Sequence, residues 1–162
     1  GAGNACLYGA TGGSLFVAGS VGQRFAVRNS GAVAVVEATS DHACEYMTGG
    51  SVVILGETGR NVAAGMTGGV LFLYDPSTRA KGLLSESAPT PHRLDEADAQ
   101  VLQRLIEAHA ERTGSRRAKD ILADWATAKR EFWVLRPEPP QLAQEPAAEA
   151  AEVPSPAVPG TS

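Results

Sequence analysis

Short apolar runs behind paired or single glycines return in this chain at a nearly constant interval, and that interval restricts the folds open to it. The runs are Gly12-Gly13-Ser14-Leu15-Phe16-Val17, Ser30-Gly31-Ala32-Val33-Ala34-Val35, Gly49-Gly50-Ser51-Val52-Val53-Ile54 and Gly68-Gly69-Val70-Leu71-Phe72-Leu73. Their reference glycines fall at 13, 31, 50 and 69, steps of 18, 19 and 19 residues. A unit this small cannot bury a core of its own, so the copies must stack. Gly19 and Gly56 keep the same phase, with Gly22 and Gly59 three residues further on, whereas Glu37 and Asp75 take the corresponding places in the other two copies. Glycines at fixed phases suit corners where φ is positive or where neighbouring backbones leave no room for a Cβ. The intervening Val, Leu, Ile and Phe suit strands. The expected fold is an all-β solenoid, a right-handed parallel β-helix with coils of about 18–19 residues over residues 1–75.

Composition changes sharply after the repeats. Residues 1–75 hold 15 of the 18 glycines and no proline, whereas 76–93 are rich in Pro and Ser and read as a linker. Residues 94–135 read as a C-terminal α-helical hairpin. Leu94, Val101, Leu102, Leu105, Ile106 and His109 share one helical face behind a cap at Asp95, and Thr113-Gly114-Ser115 is a stop and restart. The second helix is expected to bury Ala118, Ile121, Leu122, Trp125 and Phe132, and the hairpin to cover the C-terminal end of the solenoid. Residues 136–162, a Pro/Ala/Glu-rich stretch without an aromatic, are expected to form a disordered tail.

The formal net charge of -4 comes from the residues after Arg136, which include no Lys or Arg but carry Glu138, Glu145, Glu149 and Glu152. The remaining body is neutral and offers no electrostatic footprint for nucleic acid or an anionic membrane. No apolar run is long enough to span a bilayer. Cys6 and Cys44 stand in no metal or dithiol spacing, which favours a reducing, cytoplasmic setting. Starting at Gly1-Ala2-Gly3 without Met, the chain reads as a fragment.

Three features invite a chemical reading. On a strand, Asp41-His42-Ala43-Cys44-Glu45 would send His42 and Cys44 to one face, but two ligands fall short of a zinc site and a buried, inert Cys44 is preferred. Gly9-Ala10-Thr11-Gly12-Gly13-Ser14 has glycines for a phosphate loop but neither the following Lys-Ser/Thr nor the helix. His109 reads as a boundary residue rather than a base. Arg24, Arg28 and Arg60, the only basic residues of the first 75, are candidates for docking contacts or for simple solvation. No catalytic, cofactor-binding or metal residue is assigned.

Longer motifs carry a resemblance. Gly3 to Gly13, Arg24 to Ala32, Asp41 to Gly50 and Gly59 to Gly69, with Leu105-Ile106-Glu107-Ala108-His109, Thr113-Gly114-Ser115 and Ile121-Leu122-Ala123-Asp124-Trp125, resemble the GXGXG β-helix domain of the glutamate synthase large subunit over residues 3–135. The resemblance implies a structural C-terminal domain without catalysis of its own. It implies partners in the same subunit, an amidotransferase and an FMN-binding domain with a 3Fe-4S cluster, and a possible small NADPH-oxidising subunit. The pathway implied is glutamate formation from glutamine and 2-oxoglutarate in ammonia assimilation. This end departs from the family pattern where Arg136-Pro137-Glu138-Pro139-Pro140 replaces a Tyr-Arg-rich continuation. Two other readings are a stand-alone solenoid subunit similar to that of formylmethanofuran dehydrogenase and a hexapeptide acyltransferase. For the latter, a six-residue step holds at Leu15, Val21, Val27 and Val33 but is lost at Thr39 and Glu45.

Overall fold

The computed structural model describes residues 3–138; of the tail expected over 136–162, residues from 139 on lie outside the described residues. Four parallel strands, β1 (Ser14–Ser20), β2 (Ser30–Ala38), β3 (Thr48–Ile54) and β4 (Gly68–Tyr74), pair in chain order. Each contributes one rung to a stack, so Leu15, Ala34, Val52 and Leu71 align, as do Phe16, Val35, Val53 and Phe72. Strand alternation then divides the rungs between two cores. Ala34, Val52 and Leu71 point into the solenoid with Val36, Ile54 and Leu73, against Phe25, Met47 and Val62. Val35, Val53 and Phe72 point outward.

The wall facing the sheet inside each coil is not a strand. Ala5 and Leu7, then Arg24, Ala26 and Arg28, then His42, Cys44 and Tyr46, then Asn61 and Ala63 all adopt left-handed backbone with φ between 53° and 65°, alternating with ordinary residues. The conformation turns successive amides toward opposite neighbours. Arg24 N–H donates forward to the Asp41 carbonyl at 3.0 Å and Arg28 N–H to that of Glu45 at 2.8 Å, whereas Ala26 N–H donates back to Cys6 at 2.9 Å. The next coils repeat the pattern: Cys44 N–H reaches back to Phe25 at 2.7 Å and Ala63 N–H to Ala43 at 2.9 Å. A left-handed non-glycine residue costs about 1–2 kcal/mol. Leaving a buried amide unpaired costs about as much, roughly 1–3 kcal/mol. Because Phe25, Ala26, Ala43, Cys44, Val62 and Ala63 are all fully buried, the paired, strained ribbon wins.

Coil stacking also explains one glycine row. A Cβ on Gly31, Gly49 or Gly68 would sit inside the van der Waals envelope of the Thr11, Ser30 or Thr48 carbonyl of the preceding coil. Gly12, the equivalent in the first coil, faces open space.

The helical hairpin is present but lies elsewhere than expected. Helix α1 (Glu96–Thr113) starts at a capping box, with Asp95 accepting from Asp98 N–H at 2.7 Å, and ends at left-handed Gly114. Ser115 caps α2 (Arg116–Ala123), which leads into the single turn α3 (Trp125–Ala128). Rather than covering the solenoid's end, the helices lie on the outward face of the sheet, where Leu102, Ile106 and Ile121 meet Val35, Val53 and Phe72. The outward rung is as apolar as the inward one, so the flank had to be buried. Val101 is not on that face and is 49 % exposed.

Phe132 is buried, but in a strand: β6 (Phe132–Leu135) pairs antiparallel with β4, opposing Val134 to Phe72 and Trp133 to Leu73. The short β5 (Pro91–His92) pairs with β6, and the segment before it forms a 3-10 turn at Ala80–Leu83. These additions occupy the edge of the last coil that the hairpin was expected to cover. At the opposite edge, β1 has one sheet neighbour only among the described residues.

Gly68→Ala is expected to destabilise the chain by about 1–3 kcal/mol, the range for forcing volume into a packed site. Gly82→Ala, at a position with nothing within 4 Å, is expected to be near neutral. Urea unfolding midpoints of the two variants check the contrast.

Candidate functional site

The Asp41–Glu45 cluster does not assemble. These residues lie in the left-handed ribbon, not on a strand, so the alternation that would pair His42 with Cys44 is absent. His42 is on the surface with Nδ1 2.6 Å from Glu45 Oε1, and Asp41 Oδ1 accepts from Arg60 N–H at 2.7 Å. Cys44 is fully buried, and that burial pushes its thiol up to about 12, leaving it protonated and unreactive at neutral pH. Gly12-Gly13-Ser14 feeds β1 rather than a helix N-terminus. Arg24, Arg28 and Arg60 are exposed, as are Tyr8 and Tyr46 on the same ribbon wall. Among the described residues there is no group of three or more His, Cys, Asp or Glu arranged to hold a metal, and no helix is long and apolar enough to cross a membrane.

The polar chemistry of the fold sits where the glycine phase breaks. Asp75 is buried and accepts three donors: Arg79 N–H at 2.8 Å and Ala80 N–H at 3.1 Å on Oδ1, and the Trp133 indole at 3.0 Å on Oδ2. One carboxylate thus ties the end of β4 to the following 3-10 turn and to β6. Trp133 is held from its faces as well, with Arg93 3.6 Å and Lys81 4.7 Å from the ring centroid. Beside it, Tyr74 donates to Glu131 at 3.0 Å. Burial, and then that carboxylate, hold the Tyr74 phenol above its ordinary value, so it stays a donor.

Glu37 performs the second join. It ends the outward row of β2, accepts the Ser115 hydroxyl, and lies 3.6 Å from Nε2 of His109. His109, expected at a boundary, is fully buried with neither ring nitrogen hydrogen-bonded. Glu37 and Asp75 were visible in the sequence as departures from glycine, but what they bind was not. Both also line a groove of about 690 Å³ with Thr58, Arg79 and Arg117. Asp75 is taken by three N–H donors and Glu37 Oε1 by Ser115, so both carboxylates tie separate elements together.

A stack of parallel coils flanked by a helical layer and fastened by the carboxylates of Asp75 and Glu37 defines a β-solenoid module. The family model described as GXGXG motif matches residues 2–138. The ferredoxin-dependent chloroplastic glutamate synthase of Spinacia oleracea is 52% identical over 136 residues, covering 83% of this chain and 8% of that protein. The chloroplastic/mitochondrial enzyme 1 of Arabidopsis thaliana is 50% identical over 152 residues, 93% of this chain and 9% of that protein, and the Pyropia yezoensis enzyme 50% over 136 residues, 83% and 9%. The chain belongs to the glutamate synthase family and corresponds to its GXGXG solenoid segment, spanning less than a tenth of the length of these relatives. The cytoplasmic expectation is corrected by these matches, since the land-plant relatives are chloroplastic or chloroplastic/mitochondrial proteins. The expectation rested on two free cysteines, a feature that does not depend on which reducing compartment holds the chain.

Asp75→Ala is expected to lower stability by about 1–3 kcal/mol through the donors it strands, and to shift Trp133 fluorescence toward that of a solvated indole. Asp75→Asn, which keeps an acceptor, should fall between. Thermal unfolding followed by tryptophan emission reads both.

Proposed function

We propose that this segment is a non-catalytic structural module of a glutamate synthase large subunit, bracing the domains that make glutamate from glutamine and 2-oxoglutarate. Family membership supplies the enzyme, and the ferredoxin-dependent relatives favour ferredoxin over NADPH as electron donor. FMN and the 3Fe-4S cluster belong, in this reading, to other domains. The observation that carries this reading is a β1 edge with no second strand neighbour among the described residues, together with carboxylates that make internal contacts. Unpaired strand edges seek a partner. The amidotransferase and FMN-binding domains of the same subunit are the proposed neighbours, with Arg24, Arg28 and Arg60 as candidate contacts.

Gly12 offers the test. In the 162-residue chain, Gly12→Ala meets nothing within 4 Å and should leave the unfolding midpoint unchanged. In a full-length enzyme whose backbone packs on this edge as successive coils do, the same alanine should lower both stability and glutamate formation. Loss in the whole enzyme with neutrality in the chain supports the reading; neutrality in both contradicts it. Stoichiometric flavin absorbance, or glutaminase activity in the purified chain, would refute the non-catalytic assignment.

A further inference from the structure

The joint between α1 and α2 rests on the sheet through three residues from three elements. Glu37 on β2 stands in an otherwise apolar row and accepts the hydroxyl of Ser115, whose Oγ also caps α2 by accepting from Ala118 N–H at 3.1 Å. His109, one turn before the end of α1, lies beside the same carboxylate, packed against Phe16 with ring centroids 6.1 Å apart. Its carbonyl accepts from Thr113, whose hydroxyl in turn accepts from Ser115 N–H at 3.2 Å. Movement at His109 is therefore transmitted to the whole turn at Gly114.

We propose that His109, Glu37 and Ser115 form a proton-sensitive latch: the helical joint stays seated on the solenoid while the imidazole is neutral and lifts when the imidazole is charged. A neutral ring can lie in this apolar layer with its nitrogens unbonded at modest cost. An imidazolium there carries two N–H donors, and one of them, Nδ1, has no acceptor. Glu37 would attract it, but at 3.6 Å no hydrogen bond is made, and the same carboxylate oxygen already serves Ser115. The helices on either side of the turn contribute two cations. Arg112, on the same helix, lies over the Phe16 ring at 5.1 Å, and Arg117 of α2 donates Nη1 to the Leu55 carbonyl at 3.2 Å. From β1 the ring meets Phe16 rather than a charge.

The sign follows. Burial lowers the His109 pKa from its ordinary 6.5, and Glu37 offsets this in part. A group that binds its proton more readily in the open state loses seating strength as pH falls through and below 6.5, by up to about tenfold in the opening constant per pH unit until the seated ring itself titrates.

Amide hydrogen exchange on the 162-residue chain at stepped pH tests this, expressed as protection factors so that the intrinsic rate cancels. The latch predicts that protection around Ala110–Ala118 falls with acid while Ala34 and Val52 in the solenoid hold theirs, and that His109→Gln removes the difference. Joint and solenoid tracking each other across pH, or an unchanged pH response in His109→Gln, would overturn it. Should His109→Gln not fold, the wild-type imidazole resonances decide: a midpoint below 6.5 accompanying the loss of protection supports the latch, and a midpoint at or above 6.5 removes it.

Discussion

Hydrogen bonding between successive coils is the constraint on which the rest of this structure depends. On the sheet side the bonds are ordinary parallel pairing. On the opposite side they require left-handed backbone at residues such as Arg24, Ala26 and Arg28, which no isolated segment would adopt. Strain accepted in one coil is sustained only because the coils above and below have the same shape. That mutual dependence accounts for the glycine row at 31, 49 and 68, where carbonyls pass too close for any side chain. It also explains why small residues, Ala26, Cys44 and Ala63, fill the middle of the ribbon.

A solenoid built this way has two faces and two edges to deal with. The inward face is closed by the ribbon, the outward face by α1 and α2, and the last edge by β6 and β5. The joins are made by the two residues that interrupt the glycine phase. Glu37 receives the helical joint, and Asp75 receives the turn after β4 and the indole of Trp133. Acidic side chains are well suited to this because a carboxylate accepts several N–H or O–H donors at once. Each therefore fastens two or more elements of the fold at one point.

Much of this was legible in the sequence, for definable reasons. The four strands follow from apolar runs behind glycines, and Asp95, Gly114 and Ser115 are local signals that act within one turn of helix. The ribbon was not legible, because positive φ at Arg24 or His42 is dictated by hydrogen bonds to other coils and leaves no mark in residue type. Phe132-Trp133-Val134-Leu135 resembled a continuation of the helix, since a four-residue apolar run has no period of its own. Its strand state comes from the unpaired edge of β4. The flank position of the hairpin was hidden in the same way: Val35, Val53 and Phe72 alternate with inward residues that are equally apolar, so no polar face announced which side was free.

Exchange rates of the ribbon amides would test the central claim most directly. Ala26, Cys44 and Ala63 lie in segments without helix or strand, yet each donates to a neighbouring coil at 2.7–2.9 Å. If coil stacking holds the fold together, their protection in the 162-residue chain should match that of the β2 and β3 amides and be lost with it in one transition. Rapid exchange of these three amides while the strands remain protected would contradict the account, and would reduce the solenoid to a sheet with loose connections.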